Sequence, residues 1–308
     1  MKDLKETCSV ALAQLEPVLF DKQACLDKVI GYIEWAARRH VDLIVFPEMA
    51  IPGYPYGLTF GFTVGARKEN GRSDWKRYYD ASVVVPGEET RRIGAAARAA
   101  QAYVSIGVSE RDATNGTLYN SNLIFGPTGE LLSVHRKIKP TGAERSIWGD
   151  GDKGYFPIVN SPWGPMGSLI CWESYMPLAR VALYEKGVTI YIAPNTNDNI
   201  EWQSTIRHIA IEGHCFVLNS DLIFHKDSYP RDLLSTKDEM RELRNIVCRG
   251  GSCVIDPYGH YVVKPVWNKE GILYAELNMN DAAASRMELD VVGHYARPDI
   301  FKFTVDEK

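Results

Sequence analysis

The chain has 308 residues, 45% of them apolar, and a formal net charge of −4. This length is enough for one large α/β domain or for two smaller ones. A charge so close to neutral, without a long basic run, gives no indication of nucleic acid or of an anionic membrane surface as a partner. The apolar runs are too short to cross a bilayer, and the N-terminus lacks the apolar stretch of a secretion signal.

The cysteine and histidine patterns exclude two further classes. Six cysteines are spread along the chain without a CxxC pair, and seven histidines show no HExxH spacing, so no structural zinc site is expected. A chain of this size needs no disulfides to stabilise its core. We therefore expect reduced thiols and a cytoplasmic location.

The first quarter of the chain alternates apolar strands with an amphipathic helix. Residues 8–15 are predicted to be a buried strand, 22–39 a helix, and 41–48 a second apolar strand that ends at Glu48. A strand–helix–strand unit implies a sheet covered by helices. Residues 57–80 are polar and contain glycines, which predicts an excursion near the surface.

The rest of the chain repeats this alternation and adds two hairpins. The predicted elements are strands at 81–87, 102–110, 188–195, 214–224 and 271–279, helices at 90–101 and 201–212, hairpins around the turns 127–130 and 256–259, a Gly- and Asp-rich loop at 141–156, and a charged insertion or surface helix at 228–245. Two rounds of strands and helices, each with a hairpin, predict two sheets packed face to face with helices outside. We expect one domain over residues 1–308.

The stretch around Cys171 is an apolar run, Met166 to Ile170, followed by a segment with helical spacing. A cysteine at such a junction stands at the carboxyl end of a sheet, where the free N–H groups and the dipole of a helix start favour the thiolate. The alternative is that Cys171 is a small core residue, as most free cysteines are.

Glu48, Lys137 and Cys171 each stand where an apolar strand runs out into a loop. Ends of neighbouring strands on one edge of an α/β sheet converge where such folds bind ligands. A carboxylate there can take the thiol proton, the thiolate can attack, and an ammonium can stabilise developing negative charge. Taken singly, Glu48 can be a turn acid and Lys137 part of a solvated basic edge. Their chemical complementarity favours a shared site.

Four separated blocks carry a family resemblance: FPE with PGYP, HRKIKPTGAER with WGDGD, CWESYMPLAR, and VGHYARPDIF. In this order they resemble the nitrilase superfamily of carbon–nitrogen hydrolases, and within it the nitrile-hydrolysing branch. The resemblance extends over nearly the whole chain, from the first strand to Phe301. It implies an α/β fold, a four-layer α-β-β-α sandwich.

By motif match, the resemblance implies a Glu-Lys-Cys catalytic set. Glu48 of FPE would be the general base, Lys137 of HRK the charge-stabilising lysine, and Cys171 of CWE the nucleophile. A second glutamate of the family corresponds to Glu144, which would orient Lys137 or assist proton transfer. The alternative for Glu144 is a surface ion pair with a neighbouring basic residue.

The reaction that this resemblance implies converts a small-molecule nitrile to a carboxylic acid and ammonia. It passes through a thioimidate and then a thioester on Cys171, and it needs no metal or organic cofactor. The resemblance also predicts a homodimer through the helical face or a larger homo-oligomer. Many members have a longer tail, linked to spiral assembly, after the block that matches VGHYARPDIF, so we do not expect long filaments here.

Aromatic residues follow Glu48, Glu144 and Cys171 in the sequence. Such side chains can line an apolar pocket, although aromatics also supply much of any core. By family position we expect Tyr54, Trp148 and Trp172 to contact the substrate, and their crowding favours aromatic or arylaliphatic nitriles over very small ones. Ser174 stands where the branch more often has Asn or His, which alters the pocket wall.

Two other functions remain open. One is an amidase, N-carbamoyl amidohydrolase or cyanide-degrading hydrolase of the same superfamily, which would use the same residues on another C–N bond. The other is a catalytically silent interaction protein on this fold. The WGDGD and CWExxxPLAR blocks favour the nitrilase over the first, and the presence of Glu48, Lys137 and Cys171 together argues against the second.

Overall fold

Strands and helices alternate along the chain in the computed structural model, which describes residues 4–151, 156–234 and 237–307. The strands are β1 (Thr7–Gln14), β2 (Leu43–Val45), β3 (Phe62–Thr63), β4 (Ala66–Arg67), β5 (Val83–Val84), β6 (Tyr103–Arg111), β7 (Leu118–Phe125), β8 (Leu131–Arg136), β9 (Ile158–Ser161), β10 (Gly164–Ser168), β11 (Ile190–Asn195), β12 (Phe216–Asp221), β13 (Ile223–His225), β14 (Ile246–Ile255), β15 (Tyr261–Trp267) and β16 (Gly271–Asn278). The helices are α1 (Lys22–Ala37), α2 (Gly71–Ala81), α3 (Glu88–Ala100), α4 (Pro177–Glu185), α5 (Ile200–Gly213), α6 (Lys237–Arg241) and α7 (Asn280–Ala284).

Within the described residues the strands form two seven-stranded sheets and the small hairpin β3–β4. The first sheet has the order β16-β1-β2-β6-β7-β8, with β5 beside β6. The second has the order β13-β14-β12-β11-β10-β9, with β15 beside β14. Strands β1, β2 and β6 are parallel to one another, as are β10, β11 and β12. Parallel neighbours need crossover connections, and α1, α3, α4 and α5 lie in these connections.

Successive side chains of β1 point into different layers, as the two-residue period of a strand requires. Val10 and Leu12 pack with Ile190 of the second sheet in the core between the sheets. Ala11 and Ala13 lie in a separate core beneath α1 and α3. A third core fills the space between the second sheet and the helices α4 and α5. These layers are helix, sheet, sheet and helix, which confirms the predicted four-layer sandwich.

The ends of the helices follow local sequence signals. The Asp21 carboxylate accepts a hydrogen bond from the Ala24 N–H (2.9 Å) and caps α1. Pro177 occupies the first turn of α4, where its missing N–H costs no hydrogen bond. None of the described helices is long and apolar enough to span a membrane.

The segment 57–80 lies largely at the surface as predicted, but its second half forms a helix, α2, that the sequence analysis did not predict. This helix is hard to recognise because its sequence, GRSDWKRYYDA, is mostly polar. One side is nevertheless anchored in the core, where the buried Tyr78 hydroxyl donates to the Gly53 carbonyl (3.0 Å). Parts of two other predicted segments, residues 152–155 of the Gly- and Asp-rich loop and 235–236 of the charged insertion, lie outside the described residues.

Candidate active site

The Glu48 side chain is fully buried (0% exposed) just beyond the end of β2. Its loop crosses close over β6 at Gly107. A Cβ atom at Gly107 would lie 2.5 Å from the Pro47 carbonyl oxygen and 2.6 Å from the Glu48 Cα, so only glycine permits this approach. The residue after Glu48, Met49, has a positive φ of 54°. This tight path turns the carboxylate into the protein instead of leaving it as a solvent-exposed turn acid.

Lys137 directly follows β8 and is 1% exposed, so it does not belong to a solvated basic edge. Its ammonium donates to Glu48 Oε1 (3.1 Å) and to Glu144 Oε2 and Oε1 (2.9 and 3.1 Å). Burial alone would lower the pKa of Lys137. The negative charges of Glu48 and Glu144 outweigh that effect and raise the pKa, which keeps the ammonium protonated.

Glu144 lies in a 3₁₀ turn, Gly142–Ser146, and is buried. Besides Lys137, its carboxylate accepts hydrogen bonds from the Thr141 N–H (2.6 Å) and from the Tyr54 hydroxyl (2.6 Å). A surface ion pair with a neighbouring basic residue is therefore excluded for this side chain. The turn brings Glu144 to the same ammonium that contacts Glu48, so one cation bridges two carboxylates.

Cys171 begins a 3₁₀ turn, Cys171–Tyr175, three residues after β10 ends at Ser168. The expectation of an α-helix directly behind the thiol is wrong, because α4 begins only at Pro177. Cys171 has a positive φ of 51°, an unfavourable conformation for a residue with a side chain. The sulfur lies within hydrogen-bonding reach of the Thr196 backbone N–H.

The pKa of the Cys171 thiol is raised well above its usual value, whereas the sequence predicts a lowered one. Burial is the largest cause, and the Glu48 charge adds to it. The opposing effect of Lys137 is not sufficient to reverse the shift. The resting sulfur is thus a neutral thiol that needs a base. Because the charges of Glu48, Lys137 and Glu144 all act on this pKa, the four side chains share one site.

The site lies between the two sheets and not at the edge of one. Glu48 and Lys137 follow β2 and β8, which belong to the first sheet but are separated by β6 and β7. Cys171 follows β10 of the second sheet. The expectation of neighbouring strands in a single sheet is therefore wrong. Face-to-face packing of the sheets instead brings loops from both to one place.

The two carboxylate oxygens of Glu48 differ in their hydrogen bonds. Its Oε1 accepts from the Asn120 amide (2.7 Å) and from Lys137, whereas its Oε2 has no hydrogen-bond partner among the described residues. Burial raises the pKa of Glu48, against the lowering effect of Lys137, and the Glu144 charge raises it further. A carboxylate with a raised pKa and a free oxygen can accept a proton. Sequence reasoning missed Asn120, which is one of three consecutive polar residues (120–122) in the mostly buried strand β7 and belongs to no recognised motif.

Glu173 is a second buried residue that the sequence did not single out, although it belongs to the CWE block. Its Oε2 accepts from the Ile170 N–H (2.8 Å) and pairs with His135 Nε2 (2.8 Å), and its Oε1 accepts from the Ile138 N–H (2.7 Å). Ile170 precedes Cys171 and Ile138 follows Lys137. Glu173 therefore ties the nucleophile turn of one sheet to the lysine strand of the other.

The three aromatic residues expected to contact the substrate occupy different environments. Tyr54 and Trp148 lie side by side with ring centroids 5.7 Å apart, next to Glu144, and the Trp148 indole donates to the Ser109 hydroxyl (3.0 Å). Trp172 directly follows Cys171 and is 46% exposed, with its ring against Tyr175. The structure thus places the half-buried Tyr54 and the buried Trp148 beside Glu144, and it leaves the Trp172 ring partly exposed.

This geometry can be compared with known proteins. The family model described as carbon-nitrogen hydrolase matches residues 9–287. The chain belongs to this family. An aliphatic nitrilase of Sinorhizobium fredii (strain HH103) is 44% identical over 97% of this chain and 95% of its own length, and nitrilase 1 of Arabidopsis thaliana is 40% identical over 98% and 87%. The resemblance to nitrilases is therefore confirmed.

Solved structures of the superfamily have the same fold. Nit3 of Saccharomyces cerevisiae, described as a member of branch 10 of the nitrilase superfamily, matches with a TM-score of 0.74 at 22% identity over 96% of this chain and 99% of its own. A carbon-nitrogen hydrolase of Helicobacter pylori G27 matches with a TM-score of 0.74 at 21% identity over 96% and 97%. At these identities the match supports the fold alone.

Replacement of Lys137 by methionine tests the buried ion cluster. We expect Lys137→Met to lower the free energy of unfolding by about 3–5 kcal/mol at neutral pH, because two buried carboxylates lose their shared cation. Urea denaturation measures the change. Lys139→Met is the matched control, since Lys139 is exposed and pairs with Asp150 at the surface, where an ion pair contributes about 0–1 kcal/mol. Equal effects of the two substitutions would contradict the buried cluster.

Replacement of Glu173 by glutamine tests the link between the sheets through its pH dependence. Burial raises the pKa of Glu173, but His135 and the two N–H donors outweigh it and lower the pKa below 4.5. Stability from the ionised form is therefore full above pH 4.5 and lost as the pH falls through the folded-state pKa. We expect Glu173→Gln to be destabilised at pH 7 and to approach the wild type in acid. A deficit that is independent of pH, or one matched by the exposed control Glu185→Gln, would contradict this.

Proposed function

We propose that this protein is a nitrilase that hydrolyses an organic nitrile to the carboxylic acid and ammonia. The observation that carries the proposal is the convergence of a thiol, a carboxylate and a bridged ammonium on one buried site in a chain 44% identical to an aliphatic nitrilase. Cys171 is the nucleophile, Glu48 the general base and Lys137 the charge-stabilising residue.

The first step is addition of sulfur to the nitrile carbon. Glu48 takes the thiol proton, and Oε2 is the suitable acceptor because Oε1 is already bound by Asn120 and Lys137. Sulfur attacks the carbon and one C–N π bond opens, which gives a thioimidate on Cys171. The proton passes to the nitrogen. Lys137 and the Trp172 backbone N–H stabilise the charge that develops on that nitrogen.

Two water molecules complete the reaction. The first adds to the thioimidate to give a tetrahedral intermediate, which expels ammonia and leaves a thioester. The second, activated by Glu48, attacks the thioester carbonyl, releases the carboxylic acid and returns the thiol. These steps use only water and protein side chains. Glu144 holds the lysine ammonium in place, and Tyr54 holds Glu144 through its hydroxyl.

The substrate pocket is proposed to include Tyr54, Trp148 and Trp172. Their aromatic surfaces favour an aromatic or arylaliphatic R group, whereas the relative from Sinorhizobium fredii is named for aliphatic nitriles. A relative from Lupinus angustifolius, 38% identical, is named a bifunctional nitrilase/nitrile hydratase. The tetrahedral intermediate explains how both products arise on one site, because loss of the thiol instead of ammonia releases an amide.

We also propose that the chain forms one domain over residues 1–308 and acts in the cytoplasm as a homodimer or larger homo-oligomer. Pairing of the first strand, β1, with the last, β16, supports the single domain. All six cysteines are free thiols, as expected in a reducing compartment. Apolar side chains exposed on the outer helices, among them Leu178 on α4 and Ile211 on α5, support association through that face.

Ammonia release from a panel of nitriles, amides and carbamoyl amino acids tests the function. We expect aromatic and aliphatic nitriles to be hydrolysed, and Cys171→Ala to abolish turnover without unfolding the protein, because no other group can form the thioimidate. Cys8→Ala is the matched control, since Cys8 is equally buried but lies in the core between the sheets. Turnover of amides alone would favour an amidase. No turnover, with Cys171 inert to iodoacetamide, would favour a silent protein.

Light scattering of the purified protein tests the oligomer. We expect a mass of at least two chains of 34.6 kDa each. Leu178, 67% exposed on α4, would be buried in the proposed interface, so Leu178→Asp should shift the mass towards the monomer. Val64→Asp is the control, because Val64 is exposed on the β3–β4 hairpin, away from that face. A monomeric wild type would contradict the proposal.

A further inference from the structure

One buried carboxylate outside the ion cluster has no part in the reaction proposed above. Asp221 is the last residue of β12 and is fully buried. Its oxygens accept hydrogen bonds from Asn195 Nδ2 (3.0 Å to each oxygen), from Asn219 Nδ2 (3.0 Å) and from the Asn197 N–H (3.1 Å). All of these donors are neutral amides. The carboxylate is thus held by hydrogen bonds from two neighbouring strands and from the turn between β11 and α5.

That turn reaches the nucleophile. Asn195 ends β11, and Thr196 and Asn197 follow it. The Thr196 N–H lies within hydrogen-bonding reach of the Cys171 sulfur, and the Thr196 hydroxyl donates to the Glu48 carbonyl (3.4 Å). Asn195 Nδ2 also donates to the Asn197 carbonyl (3.0 Å), which closes the turn. Residues bound to the Asp221 carboxylate therefore flank Thr196, whose N–H lies within reach of the sulfur.

We propose that Asp221 is a positioning residue: in its ionised form it fixes the turn at residues 195–197 so that the Thr196 N–H stays directed at the Cys171 sulfur. The proposal rests on the proposed role of Cys171 as nucleophile. A carboxylate can accept from all the surrounding N–H donors at once. A protonated carboxyl must place its own O–H among groups that are donors, so one contact opens. Loss of the Thr196 N–H then makes the thiolate harder to form.

The surroundings of Asp221 place its titration near neutral pH. Burial is the largest influence and raises the pKa of Asp221 to about 7, although its hydrogen bonds oppose the shift and the Asp198 charge adds to it. The other titratable groups that face it among the described residues are the thiols of Cys248 and Cys253 on β14. Both thiols are neutral because burial raises their pKa.

Ionisation of Asp221 lowers the stability of the folded protein but raises the reactivity of the Cys171 thiol. The folded-state pKa lies above the unfolded-state value of 3.8, so folding becomes less favourable as the pH rises from 3.8 to about 7. Over the upper part of the same range the turn becomes fixed and the thiol more reactive. Ionised Asp221 thus lowers the stability of the folded protein but keeps the Thr196 N–H in position.

Alkylation of Cys171 by iodoacetamide, measured by mass spectrometry of the Cys171 peptide, reports on the thiol without any nitrile turnover. We expect Asp221→Asn to lower both the alkylation rate and kcat by about 10- to 100-fold, the range for loss of a hydrogen bond to a charged group, with little change in KM. The amide at 221 presents an NH₂ group to the donors at every pH. In the wild type, protonation of Asp221 should lower the alkylation rate below about pH 7. This fall should therefore be absent from Asp221→Asn.

A second variant gives a directional test. In Asn219→Ala the Asp221 carboxylate loses one donor but keeps its contacts to the turn. Its pKa rises, so the acidic limb of the alkylation profile should shift to higher pH. Asp42→Asn is the matched control. Asp42 accepts from the Ser9 N–H (2.8 Å) and hydroxyl (2.9 Å) before β2, at the opposite end of that strand from Glu48, so its replacement should leave the alkylation profile unchanged.

A folded Asp221→Asn protein with the wild-type alkylation rate and pH profile would overturn the proposal. If Asp221→Asn does not fold, an unshifted limb in Asn219→Ala overturns it instead. Failure of the proposed function has a different signature, since wild-type protein would then turn over no nitrile while its alkylation profile still responded to the substitutions at Asp221 and Asn219.

Discussion

A buried ammonium held between two buried carboxylates is the interaction on which the site depends. Each ion alone would lose several kcal/mol of hydration in this environment, and only close hydrogen bonds offset that loss. Lys137 makes such bonds to Glu48 and Glu144. One positive and two negative charges leave an excess of negative charge beside the sulfur. Burial is the main cause of the raised pKa of the thiol and of its base, and the nearby carboxylates add to it while Lys137 opposes it.

The raised pKa of Cys171 changes how the site controls its own reactivity. An exposed thiolate reacts with oxidants and alkylating agents, whereas a neutral buried thiol is much less nucleophilic. In the proposed reaction the proton leaves the sulfur when Glu48 accepts it, and Lys137 stabilises the negative charge that moves to the substrate. The groups are fixed before the substrate arrives, so little reorganisation is needed during the reaction.

Motif and strand-end reasoning could predict Glu48, Lys137, Cys171 and Glu144, because each lies in a block of sequence with a recognisable composition. It could not predict Asn120, Glu173 or Asp221. These residues act through contacts between segments of the fold, and a polar residue in a strand or turn does not by itself reveal its partner. The layers of the fold could be predicted from strand and helix periodicity.

Other features depended on information that periodicity does not contain. The helix α2 was hidden by its polar composition, since only a few of its side chains enter the core. Periodicity also cannot assign a strand to one sheet or the other, so the origin of Cys171 in the second sheet was not predictable. The pKa of the thiol was misjudged because its burial depends on how the two sheets pack.

The division of the candidate site between two sheets has a mechanical consequence. Glu48 and Lys137 follow strands of the first sheet and Cys171 follows a strand of the second, and aliphatic side chains such as Leu12 and Leu218 pack between the sheets. The packing of this layer sets the distance between the sheets, so a change in its volume would move the Cys171 turn relative to the Glu48 loop.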